Sequence, residues 1–497
     1  MELARFLDNN HYEVIQGSIN KYITSISYNS NTVTKGGAFV AIKGFSDDGH
    51  NYIYNAIKNG ATVIFIQNPL SDSYPEDVTI VQVDNTRILL ARLSKQFYKN
   101  PSNRLKVVGI TGTNGKTSIS KFLNSIHMEA NNSVATLGTN GLFINNRQHP
   151  FSSSTATTPE STDLQNLFQK LVCKNIHNVV MEVSSHSLEL HRVTGIDFHT
   201  GIFVNLTPDH LELHKTLDNY FYAKSKLFDL TTKNNIINID DPYGEKLAEM
   251  CKVKGVNVTT VGIHSKADIR AKNIKYSLYG STYTIQTPTY ELDIKVQLPG
   301  EIYVYNSLLA FACAYVNNIP KQTIKIGIEK VEKISGRFNI IYEEGDFRVI
   351  IDFAHTEDGL KNLLKTVKPF VKGRLILVFG VYADMSQQGR EKRINMGKVA
   401  GQYADLSVIT LDNPKHFDQN IIINQIVEGI KSNKEVLYKT ILDRKKAIQY
   451  AISQGSEQDI IVIAGKGHER YQIINDKQIY LNEEEIVFNE LRKKQLI

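Results

Sequence analysis

The chain has 497 residues, with 57 Lys and Arg against 51 Asp and Glu, a net charge of +6. At about 100–200 residues per domain this length suits roughly three domains, each able to bury a core. So small and dispersed an excess excludes a basic nucleic-acid-binding tail and leaves small anions as natural ligands. Cys173, Cys251 and Cys313 lie far apart and are odd in number, which excludes a disulfide framework or a zinc spacing and implies a reducing, cytoplasmic compartment. The start, 1–10, lacks the apolar stretch of a secretory signal. The longest apolar runs, 308–316 and 375–383, fall well short of the ~18–20 residues that cross a bilayer. Neither membrane nor nucleic acid is expected as a partner, and the chain is expected to be a monomer.

In chain order, short β-branched runs alternate with amphipathic stretches, which predicts an α/β protein built on largely parallel sheets. The first block, 1–102, shows strands over 38–42 and 62–66 and helices over 53–59 and 86–98, and Asn100-Pro101-Ser102 closes it. The second, 103–335, opens with a buried strand over 105–110 and carries a further strand over 178–181 and a helix over 220–230. The third, 336–497, begins after Ser335-Gly336 and shows buried strands over 349–353, 375–380, 406–410 and 460–464, a doubly wound, Rossmann-like pattern. Ligands of such sheets sit at the carboxyl ends of the strands.

One motif stands at such an end: Gly112-Thr113-Asn114-Gly115-Lys116-Thr117, followed by a helix beginning at Ser118. Glycines let backbone N–H groups converge on phosphate, the helix N-terminus adds partial positive charge, Lys116 adds a full one, and the Thr117 hydroxyl suits Mg²⁺. The general Walker pattern is not met, because its first glycine would fall at Ile110. The bland alternative is a glycine turn that happens to precede a lysine. Elsewhere, residues read one at a time are equally plain: Glu182 as a solvated strand-end carboxylate, His210 as a structural histidine, Lys224 as a surface lysine on its helix.

Taken together they are less plain. Thr-Gly-Thr-Asn-Gly-Lys-Thr resembles the variant phosphate loop of the Mur ligase superfamily. Then, in that family's order, come Thr157-Thr158-Pro159-Glu160, Met181-Glu182-Val183-Ser184-Ser185-His186, Asn205-Leu206-Thr207-Pro208-Asp209-His210, Tyr222-Ala223-Lys224-Ser225-Lys226, Ile334-Ser335-Gly336-Arg337-Phe338, Asp352-Phe353-Ala354-His355-Thr356 and Gly465-Lys466-Gly467-His468-Glu469. This set is similar to the UDP-N-acetylmuramoyl-tripeptide synthetase branch over nearly the whole chain. The resemblance implies three domains, for the UDP-sugar, for ATP and for the amino acid, and an ATP-dependent ligase that makes an amide through an acyl phosphate during peptidoglycan precursor synthesis.

It also implies roles. Gly112, Thr113, Asn114, Gly115, Lys116, Thr117, Asn306, Arg337 and Asp352 would bind ATP. Thr117, Glu182, His210 and a Lys224 carbamylated by CO₂ would hold two Mg²⁺ ions, with Lys116, Glu182, His210 and Lys224 forming the catalytic set. Ser30, Thr157, Thr158, Ser184 and Arg192 would bind the UDP-muramoyl-dipeptide. Asp412, Asn413, Lys415, Gly465 and Glu469 would bind the amino acid, together with Arg390 or Arg393.

Three places depart from the family pattern. Asn29-Ser30-Asn31 stands where the family usually has Asp-Ser-Arg, Asp412-Asn413-Pro414-Lys415 where it has Asp-Asn-Pro-Arg, and the loop from Gly380 to Arg390 is longer. A lysine is a point charge, whereas arginine clamps a carboxylate with two parallel bonds, so the change weakens recognition of a distal carboxylate by about 1–3 kcal/mol if nothing compensates. The amino acid favoured is meso-diaminopimelate. The alternatives are a paralogue with another acceptor or carboxylate, and a nucleotide-binding regulator without ligase activity.

Overall fold

A computed structural model of the chain describes residues 1–497 except 8–10, 45–46, 70–72, 152–154, 156, 385, 433–435, 476 and 496–497. Parts of the stretch 1–10 and of the loop Gly380–Arg390 therefore lie outside the described residues. Among those described, three large sheets and a two-stranded ribbon organise the chain. The first sheet runs in the order Glu13–Gln16, Thr79–Gln82, Ala61–Ile66, Gly37–Val40, Ile26–Ser27, parallel except at the Glu13–Gln16 edge.

The central sheet has eleven strands. Its middle is parallel: Val134–Gly138, Asn178–Glu182, Lys106–Thr111, Phe198–Phe203, Thr231–Asn238 and Asn257–Gly262. Its innermost strands, Asn178–Glu182, Lys106–Thr111 and Phe198–Phe203, are almost wholly buried because helices cover both faces. Both edges are antiparallel, Gly141–Ile144 with Arg147–His149 on one side and Ile269–Ser277, Gly280–Gln286 and Glu291–Val296 on the other. The apolar run 308–316 lies in the helix Glu301–Val316, buried nearly all round against the helix Lys116–Glu129.

The third sheet orders Asn339–Glu344, Phe347–Asp352, Ile460–Ala464, Leu375–Phe379, Leu406–Ile409 and Leu437–Thr440, parallel but for its first strand. The ribbon Tyr471–Ile474 with Lys477–Tyr480 packs beside it. No helix among the described residues is long and apolar enough to cross a membrane.

Candidate active site

The strand Lys106–Thr111 is flanked by Asn178–Glu182 and Phe198–Phe203, so three parallel strand ends open at one place. The turn after it needs glycine. Gly115 has φ +94°, and a Cβ there would stand 2.4 Å from Asn306 Oδ1. The helix then begins at Lys116 rather than at Ser118, and no side chain caps its first N–H groups. Lys116 Nζ donates to the carbonyls of Gly112 at 2.8 Å and Thr113 at 3.0 Å. Burial, with Arg337, pushes its pKa down against the pull of Glu182 and Asp209.

Asn205–Thr207 fastens this loop: Asn205 Oδ1 accepts from the Asn114 N–H at 2.9 Å, and Thr113 Oγ1 donates to the Thr207 carbonyl at 3.1 Å. That attachment carries His210, held at φ +54°, up to the phosphate loop. Its Nδ1 lies 3.3 Å from Glu212 Oε1 and its Nε2 3.5 Å from Asp209 Oδ2. Ligand atoms of His186, His210 and Glu212 lie within 4.8 Å of one another. Burial, together with the neighbouring His210 and His214, brings His186 down to about 4, so its imidazole is neutral at pH 7. On the other side Thr117 Oγ1 donates to Glu182 Oε1 at 2.9 Å, and Thr139 donates to both Glu182 oxygens.

Lys224 is no surface lysine. It sits on the helix Leu217–Asp229 with 1% of its area exposed, and Nζ donates to the Gly112 carbonyl at 3.0 Å. Burial and the adjacent Lys116 hold its pKa well below the usual lysine range, against a weaker pull from Asp209.

A cavity at the junction with the third sheet is lined by Asn114, Gly115, Asn306, Arg337, Asp352 and His355. Asn306 Oδ1 is buried there without a hydrogen-bond partner among the described residues. Asp352 accepts from the N–H groups of Phe338 and Ala354, each at 2.7 Å; burial raises its pKa and Arg337 opposes the rise. Among the contacts that cross the junction are Asn114 Nδ2 to Asp358 Oδ2 at 3.2 Å and Lys392 Nζ to Asp209 Oδ1 at 3.1 Å.

Thr157, Thr158, Ser184 and Arg192 gather next to Glu182. Thr158 Oγ1 donates to the Glu182 carbonyl at 3.0 Å and accepts from the Ser184 N–H at 3.1 Å, and Arg192 Nη1 donates to the Thr158 carbonyl at 3.3 Å. Arg192 is oriented by Glu160, 2.8 Å from its Nε, and Glu160 also faces Arg87 of the first block at 3.5 Å. Ser30 stands apart: it is buried within the first block, where Asn55 and Asn59 donate to its hydroxyl and carbonyl.

In the third block Asp412, Asn413 and Glu469 converge on Lys466, while Gly465 takes φ +118° with its Cα turned toward Asp412. Lys415 is exposed at φ +51°. The two arginines differ. Arg390 is at the surface, paired with Glu428 at 2.9 Å, whereas Arg393 is buried, donating to Gln425 Oε1 at 2.6 Å and the Asp384 carbonyl at 2.9 Å beneath the Phe417 ring. Sequence reasoning assigned no role to Glu160, Asp209, Lys392 or Lys466. The first, second and fourth lie inside the quoted motifs, which was the available signal; Lys392 carried none.

Family models match along the chain: "Mur ligase family, catalytic domain" at residues 22–98, "Mur ligase middle domain" at 110–314 and "Mur ligase, glutamate ligase domain" at 336–467. Two relatives, from Clostridium perfringens and Clostridioides difficile, are named UDP-N-acetylmuramoyl-L-alanyl-D-glutamate–2,6-diaminopimelate ligase. The first is 42% identical over 99% of this chain and 100% of its own length, the second 43% over 95% and 96%. The chain belongs to the Mur ligase family. It is an ATP-dependent ligase that forms carbon–nitrogen bonds. A solved ligase structure of the same name as these relatives covers 100% of this chain and 99% of its own at 26% identity and TM-score 0.69. The MurF ligase of Thermotoga maritima, solved with ADP, shares the fold at TM-score 0.63 and 17% identity over 95% and 97% of the chains.

Proposed function

We propose that the chain uses ATP to join meso-diaminopimelate to UDP-N-acetylmuramoyl-L-alanyl-D-glutamate, as a cytoplasmic monomer making peptidoglycan precursor. One observation carries the reading: a buried Lys224 beside the phosphate loop, bonded to the Gly112 carbonyl and without a carboxylate partner among the described residues, an arrangement that a nucleotide-binding regulator has no use for. Domain limits at 102/103 and 335/336 assign the UDP end, with Ser30, to the first domain, ATP to the second and the acceptor amino acid to the third.

The backbone of residues 112–117 and Lys116 hold the phosphates, and Asn306, Arg337 and Asp352 take the nucleoside side, where the unpartnered Asn306 oxygen awaits a donor. Thr157, Thr158, Ser184 and Arg192 aim the dipeptide carboxylate at the γ-phosphorus. A carboxylate oxygen attacks it, the bond to ADP breaks, and an acyl phosphate forms. The acceptor amine, held by Asp412, Asn413, Lys415, Gly465 and Glu469 with Arg390 or Arg393, attacks the acyl carbon; phosphate leaves and the nitrogen loses a proton. Positioning and fixed charge supply most of the rate.

A neutral Lys224 amine would add to CO₂, its N–C bond forming as one C=O π bond opens and the nitrogen loses a proton, and the carbamate would supply an anionic oxygen donor. Thr117, Glu182, His210 and that carbamate form a donor set that fits Mg²⁺, oxygen-rich with one nitrogen, where two bound ions would neutralise charge on the transferring phosphoryl group.

A second reading, another acceptor, is favoured by Lys415 at the usual arginine position. Incubation with ATP, Mg²⁺, the UDP-muramoyl-dipeptide and a panel of amino acids, followed by phosphate release and product mass, separates the two. Release dependent on diaminopimelate is expected. Release only with another acceptor moves the function to the paralogue, and none at all defeats both.

A further inference from the structure

The residues assigned to the acceptor meet at a side chain with no assigned role. Lys466 Nζ lies 3.2 Å from Asp412 Oδ1 and 3.1 Å from Glu469 Oε2, and it donates to Asn413 Oδ1 at 3.1 Å, with its side chain 0% exposed. Those partners hold the surrounding loop. Asn413 Oδ1 also accepts from the Ile473 N–H at 2.9 Å, the Lys415 N–H donates to the Ile473 carbonyl at 3.2 Å, and the Glu469 N–H donates to the Lys466 carbonyl at 2.9 Å. The neighbouring guanidinium adds no net charge of its own, because Arg444 Nε pairs with the buried Glu483 at 2.7 Å, while Nη2 donates to the Ala464 carbonyl at 2.8 Å.

Among the described residues, the ion pairs at Lys466 therefore set one ammonium against two carboxylates. An ammonium fixed in a dry site holds both carboxylates in one geometry and leaves one negative charge unanswered. Glu469 is the carboxylate at the rim, with 23% of its side chain exposed, against 7% for Asp412. Burial, with Asp412, raises the Glu469 pKa, and Lys466 opposes the rise.

We propose that Lys466 is a positioning residue that locks Asp412, Asn413 and Glu469 into a preformed receptor, of net charge −1, for an ammonium group of the acceptor amino acid. This rests on the ligase reading above and adds to it a residue and the part of the acceptor that it serves. Lys466 touches no reacting atom; it acts through its three partners.

The test is steady-state kinetics of the full chain with ATP, Mg²⁺, UDP-muramoyl-dipeptide and meso-diaminopimelate, alongside hydroxylamine trapping of the acyl phosphate without acceptor. In Lys466→Met the acceptor KM is expected to rise at least about tenfold. The KM values for ATP and the UDP-dipeptide should stay within about twofold, and hydroxamate should still form. The acid limb of the acceptor 1/KM profile should move to higher pH, because Glu469 loses the cation that opposes the rise in its pKa; a merely structural lysine would not move it. An acceptor KM within twofold of wild type, or all three KM values rising together, overturns the proposal.

If Lys466→Met fails to fold, the double variant Lys466→Met with Asp412→Asn removes the buried pair together and is compared with Asp412→Asn alone. A higher acceptor KM in the double supports the proposal, and equality overturns it. Wild-type protein that forms no hydroxamate defeats the underlying ligase reading instead.

Discussion

Two buried lysines divide the work of this molecule, and their surroundings are opposite. Lys224, in the central domain, has a backbone carbonyl for a hydrogen-bond partner and another lysine nearby, so burial drives it toward the neutral amine. Lys466, in the third domain, is as deeply buried but faces two carboxylates and an amide oxygen. In the roles proposed, one residue type is a nucleophile in the first place and a fixed cation in the second, and counter-charge, not depth, decides which. The sharpest way to break this contrast is Lys224→Arg, whose guanidinium stays protonated and forms no carbamate. Ligation should fall by on the order of 10²–10³-fold, the range seen on deleting one preorganised electrostatic group. ATP affinity, followed by nucleotide titration, should stay within a few-fold. Wild-type turnover in that variant would remove the carbamate from the account.

Lys392 lies between the extremes. It spans the junction to Asp209, with side chains 14% and 7% exposed, and hangs over the Tyr382 ring at 4.6 Å. Burial alone would raise the Asp209 pKa, yet Lys392, His210 and His355 outweigh it and hold the carboxylate far below its ordinary range. Lys392→Met therefore leaves a buried anion short of its main partner and loosens the third domain's hold on the loop that carries His210. We expect kcat to drop about tenfold, with a smaller change in any KM. Added salt should change the wild-type kcat little, because so buried a pair is poorly screened. Equal kcat in the two proteins would mean that the junction contact is incidental to turnover.

The contrast also explains what could be read without coordinates. The phosphate loop and the parallel strands were legible because each depends on neighbours in sequence: a glycine at positive φ, a lysine at a helix start, four or five apolar residues in a row. The antiparallel edges were not. Gly280–Gln286 alternates buried Tyr283 and Ile285 with more open Thr282 and Thr284, so its apolar content is too diluted to stand out. Depth was illegible as well. Lys224 reads as a surface residue from its helix alone, and its burial follows from where the Gly112 carbonyl lies, 112 residues away in sequence. Partners across domains, such as Arg87 with Glu160, leave no local trace. Arg390 and Arg393 were indistinguishable in a loop of uncertain register, and packing separates them into a surface ion pair and a buried donor.

If counter-charge decides the state of a buried base, the rule should hold away from the active site too. His127, on the helix Lys116–Glu129, supplies the smallest and cleanest case: its Nδ1 is buried with no hydrogen-bond partner among the described residues, and the cation Lys106 disfavours its charged form. Burial, with Lys106, brings its pKa down to about 4, whereas the unfolded chain titrates near the ordinary 6.5. Between those values the unfolded state binds the extra proton, so this contribution to stability is complete above pH 6.5 and fades as pH falls toward 4. Replacing the ring by a group that does not titrate, His127→Gln, should flatten the fall in melting temperature over that window by one to a few degrees while leaving ligation at pH 8 unchanged. An unaltered slope would show that the imidazole finds a partner in solution, and that depth without counter-charge is not sufficient to keep a base neutral in this fold.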